Sequence, residues 1–200
     1  MRTAGSKQPA VKKLDYADTH RAIVEACKRG DRQAQFELYR LYGKAMFNVC
    51  LRMVKNETDA EDLLQNSFVD IFTRLDTFRF QSSVGAWIKR IVINNCINFL
   101  KKRRLPLEEL DVDRHDHQPA ANEPGIVGLS VDKVKAAIME LPDGYRVVFS
   151  LYCLEGYDHK EIGEILGVTE ATSKSQYSRA RRKLQDILVE HEKNRRNFRE

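Results

Sequence analysis

The chain has 200 residues, of which 42% are hydrophobic and 32% are charged, and it contains only 10 glycines and 5 prolines. This composition is typical of a folded protein, and the length gives room for one medium or two small domains. No apolar run approaches the about 20 residues that a membrane span needs, and the N-terminal segment has no apolar signal core. We therefore expect a cytoplasmic protein without membrane insertion.

The formal net charge of +5 hides a segregation of signs along the chain. Residues 57–76 hold six acidic residues and one basic residue, whereas residues 77–104 hold seven basic residues and no acidic ones. Acidic residues return at 108–123, and basic residues dominate again after Lys174. This alternation indicates two surfaces that face a polyanion and one surface that faces a basic or polar partner.

The N-terminal half predicts four helices after a disordered segment at 1–16. A first helix is expected over 19–28 and closes at Gly30, and Asp31 then caps a long helix that ends at Asn56. Thr58 and Glu61 have the spacing of a capping box and predict the start of a third helix. That helix has one apolar stripe and, on another side, the acidic and amide residues Asp59, Asp62, Gln65 and Asn66.

Residues 76–83 lack helical periodicity and predict a loop, which carries Phe78, Arg79, Phe80 and Gln81. A fourth helix is expected from Val84 to about Lys102, with an apolar stripe on one side. Three asparagines in five positions disfavour a helix slightly, so they either serve a polar ligand or are simply solvated. The polar and basic residues on this helix and just after it are Arg90, Asn94, Asn95, Asn98, Lys101, Lys102, Arg103 and Arg104.

The C-terminal part predicts a helix-turn-helix. A helix from Ser130 to Glu140 and another that starts at Pro142 precede it. Gly163 allows close helix packing, Gly167 permits a positive φ at the turn, Val168 fills the corner and Thr169 is a suitable N-cap. The second helix presents side chains that can reach base edges or phosphates, because such helices enter the major groove near their N-terminus. They are Glu170, Thr172, Ser173, Lys174, Ser175, Gln176, Arg179 and Arg182. The alternative is a solvated basic hairpin without a DNA ligand.

The complete prediction is an all-α protein of two small helical domains. It comprises a disordered N-terminus at 1–16, a helical domain at 17–104, a flexible acidic linker at 105–129, a helix-turn-helix domain at 130–190 and a basic tail at 191–200. The cysteines Cys27, Cys50, Cys96 and Cys153 form no C-x-x-C pair, so we expect buried free thiols and neither a disulfide frame nor a metal site. His115 and His117 lie in the expected linker, which offers no preformed ligand geometry, and no cofactor is predicted.

Four segments in this order resemble the extracytoplasmic-function (ECF) group of bacterial sigma factors, which give RNA polymerase its promoter specificity. They are DAEDLLQNSFVDIF (59–72), WIKRIVINNCINFLKKRR (87–104), ELPDGYRVVFSLYCLEGYDHKEIGEILGV (140–168) and TSKSQYSRARRKL (172–184). The resemblance implies that the acidic helix docks on core RNA polymerase through Asp59, Asp62, Gln65 and Asn66. It also implies that the aromatic loop and the basic helix capture melted −10 DNA, and that the helix-turn-helix reads the −35 duplex.

Other implications and the rival functions remain expectations. The resemblance implies an anti-sigma factor as a partner and no catalytic activity. Two residues depart from the family pattern: Ser173 replaces a branched apolar residue and is expected to loosen helix packing, and Gln176 replaces an arginine and suits adenine rather than guanine. Trp87 is expected to be a core anchor. The first rival is a ligand-responsive or dimeric helix-turn-helix regulator, which would bind palindromic sites, and the second is a nuclease, for which no catalytic cluster is evident.

Overall fold

The computed structural model describes residues 20–103 and 130–197, and every regular element within these two stretches is helical. The predicted all-α fold class is therefore confirmed. The predicted disordered segment at 1–16, the linker at 105–129, Arg104 and the histidines His115 and His117 lie outside the described residues.

Four helices form the N-terminal unit: α1 (Arg21–Lys28), α2 (Arg32–Val54), α3 (Glu57–Arg74) and α4 (Val84–Lys102). The predicted cap of α2 is present, because Asp31 Oδ1 accepts hydrogen bonds from the backbone N–H groups of Gln33 at 2.8 Å and Ala34 at 3.2 Å. A 3₁₀ turn, Leu75–Thr77, ends α3, and the hydroxyl of Ser83 caps α4 by accepting from the Ala86 N–H at 3.2 Å. The loop before α4 is therefore held at both ends.

The start of α3 differs from the prediction. The N-cap is Asn56, whose Oδ1 accepts a hydrogen bond from the Asp59 N–H at 2.9 Å, and α3 begins at Glu57. The predicted capping box at Thr58 is wrong because Thr58 already lies inside the first turn. Lys55 ends α2 with a left-handed backbone (φ 60°), and this turn brings Asn56, an equally good capping residue, into the N-cap position.

The C-terminal unit contains α5 (Val131–Glu140), α6 (Asp143–Phe149), α7 (His159–Leu166) and α8 (Glu170–Asn197). A π-helical turn, Ser150–Leu154, continues the chain directly after α6. Because α8 is 28 residues long, it includes residues 191–197 of the predicted basic tail. One apolar core joins α5, α6 and α8, with the members Ala137, Ile138, Leu141, Phe149, Ala180, Leu184 and Leu188.

The two units share a second apolar core. The core of the N-terminal unit also contains buried residues from the C-terminal unit. They are Val147 of α6, Leu151 of the π-helical turn, and Ile162 and Leu166 of α7. Ile93 and Ile97 of α4 belong to this cluster and are buried. The two units therefore pack directly against each other in this structure.

Arg146 of α6 is a buried polar anchor between the units. Its Nε donates to the carbonyl of Arg52 at 2.8 Å and one terminal nitrogen donates to the carbonyl of Leu141 at 2.9 Å. The other terminal nitrogen lies 2.7 Å from a carboxylate oxygen of Asp143. The Arg52 carbonyl belongs to the last turn of α2, where carbonyls lack helical partners, so the guanidinium caps a helix of the other unit.

Glu155 links the units through charge. Its carboxylate, which is 6% exposed, lies 2.7 Å from a terminal nitrogen of Arg52 on α2 and 3.3 Å from Nζ of Lys89 on α4. Lys89 also donates to the Glu155 backbone carbonyl at 3.0 Å. A single residue after α6 therefore holds two helices of the N-terminal unit.

The described helices include none that is both long and apolar enough to cross a membrane. All four cysteines are free, and Cys27, Cys50 and Cys96 are buried as predicted, whereas Cys153 is exposed. A hydrogen bond with Cys50, together with burial, raises the pKa of Cys96. The Cys96 thiol is therefore kept protonated.

Candidate polymerase and nucleic-acid interfaces

The helix-turn-helix is closed by two glycines. A Cβ on Gly163 would lie 2.8 Å from the carbonyl oxygen of Val168, so only glycine lets α7 approach the turn this closely. Gly167 has φ +77°, and the backbone N–H groups of Gly167 and Val168 donate to the Gly163 carbonyl at 2.8 and 3.0 Å. A capping box between Asp158 and Glu161 starts α7. The predicted roles of both glycines are therefore present in the structure.

The first turn of α8 presents polar side chains to solvent. Thr169 caps it as predicted, since its hydroxyl accepts from the Thr172 N–H at 3.0 Å. Lys174 lies 2.7 Å from the carboxylate of Glu170, and this contact lowers the pKa of Glu170 and raises that of Lys174. The predicted DNA-contacting side chains that are exposed or half-buried are Glu170, Thr172, Lys174, Ser175, Arg179 and Arg182.

Ser173 and Gln176 are corrections to the predicted DNA-contacting set. Ser173 is 0% exposed and Gln176 is 6% exposed, because both lie on the inward side of α8 with Ala180, three and four residues apart. Ser173 does not simply loosen the packing: its hydroxyl is hydrogen bonded to Nδ1 of His159 on α7 at 3.0 Å. The prediction that Ser173 and Gln176 contact DNA was wrong because these polar residues occupy helix positions that face inward.

Aromatic rings support the inner side of α8. The His159 ring stacks on Tyr152, with centroids 4.3 Å apart and an interplanar angle of 12°, and Tyr177 lies 4.5 Å from Tyr152. Burial, with a hydrogen bond to Cys153, raises the pKa of Tyr177 to about 12. These contacts fix the orientation of α8 relative to α7 and to the π-helical turn.

The loop before α4 is held in an uncommon conformation. Phe80 has φ +55°, a region that non-glycine residues rarely adopt and that costs about 1–3 kcal/mol. Phe78 is only 4% exposed, and its ring lies 4.9 Å from the Phe80 ring and 5.3 Å from Trp87, which is half-buried. Phe78 is therefore a core residue rather than part of an open base pocket, whereas Arg79 and Gln81 are exposed.

The polar side of α4 is a continuous exposed stripe. Arg90, Asn94, Asn98 and Lys102 lie at steps of four residues and all are exposed. Asn95 differs, because its side-chain amide donates to Ser67 at 3.1 Å and to Asp70 at 2.9 Å on α3. Sequence reasoning grouped the asparagines together, but the structure assigns Asn95 to the contact between α3 and α4.

Two residues of the segment predicted to capture −10 DNA have protein partners in this structure. Lys101 donates to the backbone carbonyl of Ile165 on α7 at 3.4 Å. Arg103 forms a two-pronged ion pair with Asp59, at 2.8 and 3.1 Å, so a residue predicted to bind DNA and one predicted to bind polymerase neutralise each other. Arg104 lies outside the described residues.

The predicted polymerase-docking side of α3 remains an open surface. Asp62, Gln65 and Asn66 are exposed, whereas Asp59 is held by Arg103. Beside this surface lies an open groove of about 540 Å³ that includes Gln65, Glu61 and Tyr39. Tyr39 of α2 contributes an aromatic ring to this groove, and the docking site predicted from the sequence did not include it.

Comparison with known proteins shows the family of this chain. The model of sigma-70 region 2 matches residues 38–105, and the model of sigma-70 region 4 matches residues 132–184. The chain is an ECF sigma factor of the sigma-70 family. It is 29% identical to ECF RNA polymerase sigma factor SigM of Mycobacterium tuberculosis over 170 residues, covering 83% of both chains. It is 28% identical to SigW of Bacillus subtilis, covering 82% of this chain and 94% of that one.

Two solved structures have a similar fold. This sigma factor matches RpoE in complex with the anti-sigma factor NepR from Bartonella quintana with a TM-score of 0.50 and 26% identity, covering 76% of this chain and 95% of that one. It matches CnrH in complex with the cytosolic domain of CnrY with a TM-score of 0.51 and 23% identity, covering 86% and 98%, which shows the fold alone. The sigma factor reading is favoured over the dimeric regulator.

Proposed function

We propose that this sigma factor divides its work among three surfaces. The exposed residues Asp62, Gln65 and Asn66 of α3 dock on core RNA polymerase. The loop residues Arg79, Phe80 and Gln81 and the exposed stripe of α4 capture the melted −10 strand, and the first turns of α8 read the −35 duplex. The observation that carries this proposal is the exposure of two separate polar and basic helix faces, on α4 and α8, with an acidic and amide face on α3.

The strand-capture role is supported by chemistry. Capturing an extruded base requires stacking and hydrogen-bonding groups beside cations that hold the displaced backbone. Arg79 and Gln81 supply hydrogen bonds next to the Phe80 ring, and Arg90, Asn94, Asn98 and Lys102 continue along α4.

We assign no catalytic step to this chain, because the polymerisation chemistry belongs to the core enzyme. Its site of action is therefore the cytoplasm, where the core enzyme and promoter DNA are found.

We also propose that the two units separate on a promoter. The −10 and −35 elements are about 25 base pairs apart, or roughly 85 Å of duplex at about 3.4 Å per step. In this structure Lys101 of α4 contacts Ile165 of α7, so the two DNA-binding units touch. Opening would free Lys101. It would also break the contact of Arg146 with the Arg52 carbonyl and the contacts of Glu155 with Arg52 and Lys89. Water or polymerase would then solvate or bind the released groups.

An anti-sigma factor is the proposed inhibitory partner. This is supported by the similar fold of RpoE, which was solved in complex with the anti-sigma factor NepR. An inhibitor that favours the arrangement in which the units touch would keep the −10 and −35 surfaces from reaching their elements together.

The decisive experiment is run-off transcription with core RNA polymerase on a promoter library, with and without this chain. We expect transcripts that the core enzyme does not start unaided. The double change Asp62→Ala and Gln65→Ala should lower association with core polymerase about tenfold or more, because central contacts dominate an interface. The matched control, Gln33→Ala with Asp186→Ala, removes one amide and one carboxylate from exposed positions on other helices. Equal association of both double variants with core polymerase would remove the docking surface from the proposal.

A further inference from the structure

The loop before α4 is held by a helix that no predicted site includes. Lys28, the last residue of α1, donates from Nζ to the carbonyl of Phe78 at 2.8 Å, across 50 residues of sequence. The same Nζ lies 4.9 Å from the centroid of the Phe80 ring, and Cζ of Arg21 lies 4.6 Å from it. Two cationic side chains from one side of α1 therefore contact the loop that is proposed to capture a base.

The conformation of this loop needs such support. Phe80 adopts φ +55°, which an L-residue keeps only when its surroundings hold it there. The buried ring of Phe78 anchors the turn on one side, through Trp87, and Lys28 ties down the Phe78 carbonyl. The exposed residues Arg79 and Gln81 flank Phe80, so their orientation depends on the turn that Lys28 fixes.

Lys28 also contributes charge at this place. Among the described residues, its ammonium contacts a carbonyl and an aromatic face, and neither group carries a negative charge. In the described part of the chain, no ion pair with a carboxylate offsets this half-buried ammonium beside the loop. The anion that a melted strand brings to this position is a phosphate, which a lysine binds well.

We propose that Lys28 is a positioning residue for strand capture. By holding the turn from Phe78 to Phe80 it sets the geometry in which Arg79 and Gln81 meet an extruded base, and its charge attracts the neighbouring phosphate. This inference rests on the proposed function of the loop and adds a residue from α1 to it.

The test measures base discrimination by the complete holoenzyme. A promoter selected by the wild-type holoenzyme is prepared with its −10 segment already unpaired, in versions that carry each of the four bases at each unpaired position. Lys28→Met keeps the aliphatic stem but loses the donor and the charge. We expect the preference of the holoenzyme for the best base over the worst to fall about tenfold at one position, since one stacked and bonded base is affected. Lys28→Arg should keep most of the preference.

The controls separate positioning from a general effect. Arg29→Met removes a neighbouring exposed cation and should leave the preference unchanged. Urea denaturation compares the folding of Lys28→Met with wild type. Lys28→Gln also removes the charge but keeps an N–H donor for the Phe78 carbonyl, so it separates the loss of the charge from the loss of the donor. Equal weakening for all four bases, or an unchanged preference in Lys28→Met, would overturn the inference. If the wild-type holoenzyme selects no promoter, the proposed function itself fails, which is a different result.

Discussion

The contact of Arg146 with α2 gives a direct test of how the two units are joined. Arg146→Met keeps most of the aliphatic volume but removes a guanidinium that is almost fully buried. Two short hydrogen bonds, 2.8 Å to the Arg52 carbonyl and 2.9 Å to the Leu141 carbonyl, are lost, and both acceptors stay inside the protein. A hydrogen bond from a charged donor contributes about 1.5–3 kcal/mol, so the gross loss is about 3–6 kcal/mol.

Relief of the buried charge offsets part of this loss. The Asp143 carboxylate is 53% exposed, so it is rehydrated when its partner is removed and leaves no buried charge. We therefore expect Arg146→Met to lower the free energy of unfolding by about 2–4 kcal/mol in urea denaturation. Arg146→Lys, which cannot fork between two carbonyls, should lie in between. The matched control is Arg182→Met, at an exposed position on α8. An Arg146→Met unfolding curve that overlays the Arg182→Met curve would refute the idea that this guanidinium caps α2.

Two further predictions concern the helix-turn-helix. Gly163→Ala places a Cβ 2.8 Å from the Val168 carbonyl oxygen, and because this neighbour is backbone, α7 and the turn must separate. We expect the free energy of unfolding in urea to fall by about 1–3 kcal/mol. An unchanged midpoint would argue against the close packing. The raised pKa of Tyr177, about 12, means that between pH 10 and 12 the unfolded chain ionises this phenol while the folded protein keeps it protonated, so the free energy of unfolding falls across this range. Tyr177→Phe should show a shallower fall in the same alkaline titration, and identical slopes would contradict the assignment.

The site residues were predictable where residue type and helix position agree. Asp62, Gln65, Arg90, Asn94, Asn98 and Lys174 are polar residues on the outer faces of strongly periodic helices, and the structure exposes them. Ser173, Gln176 and Asn95 are polar residues at inward positions, and their burial depends on partners such as His159 and Asp70 that are far away in sequence. Local periodicity carries no information about such partners.

The same limit hid Lys28. It ends α1 as an ordinary last-turn cation, and its contact with the Phe78 carbonyl appears only when α1 packs beside the loop. A basic residue near a helix C-terminus is common enough that its sequence position alone indicates no special role.

The amino-acid sequence by itself determined the helices, the turn at Gly163 and Gly167 and the family, because these depend on local backbone preferences and on short apolar spacings. Only the tertiary structure decided that the two helical units share a core. Arg146 and Glu155 are charged residues that a sequence places on the surface. Their charged groups are buried here because carbonyls at the end of α2 and the cations Arg52 and Lys89 lie opposite them. Burial of a charge depends on a partner from another element, and no single segment specifies that partner.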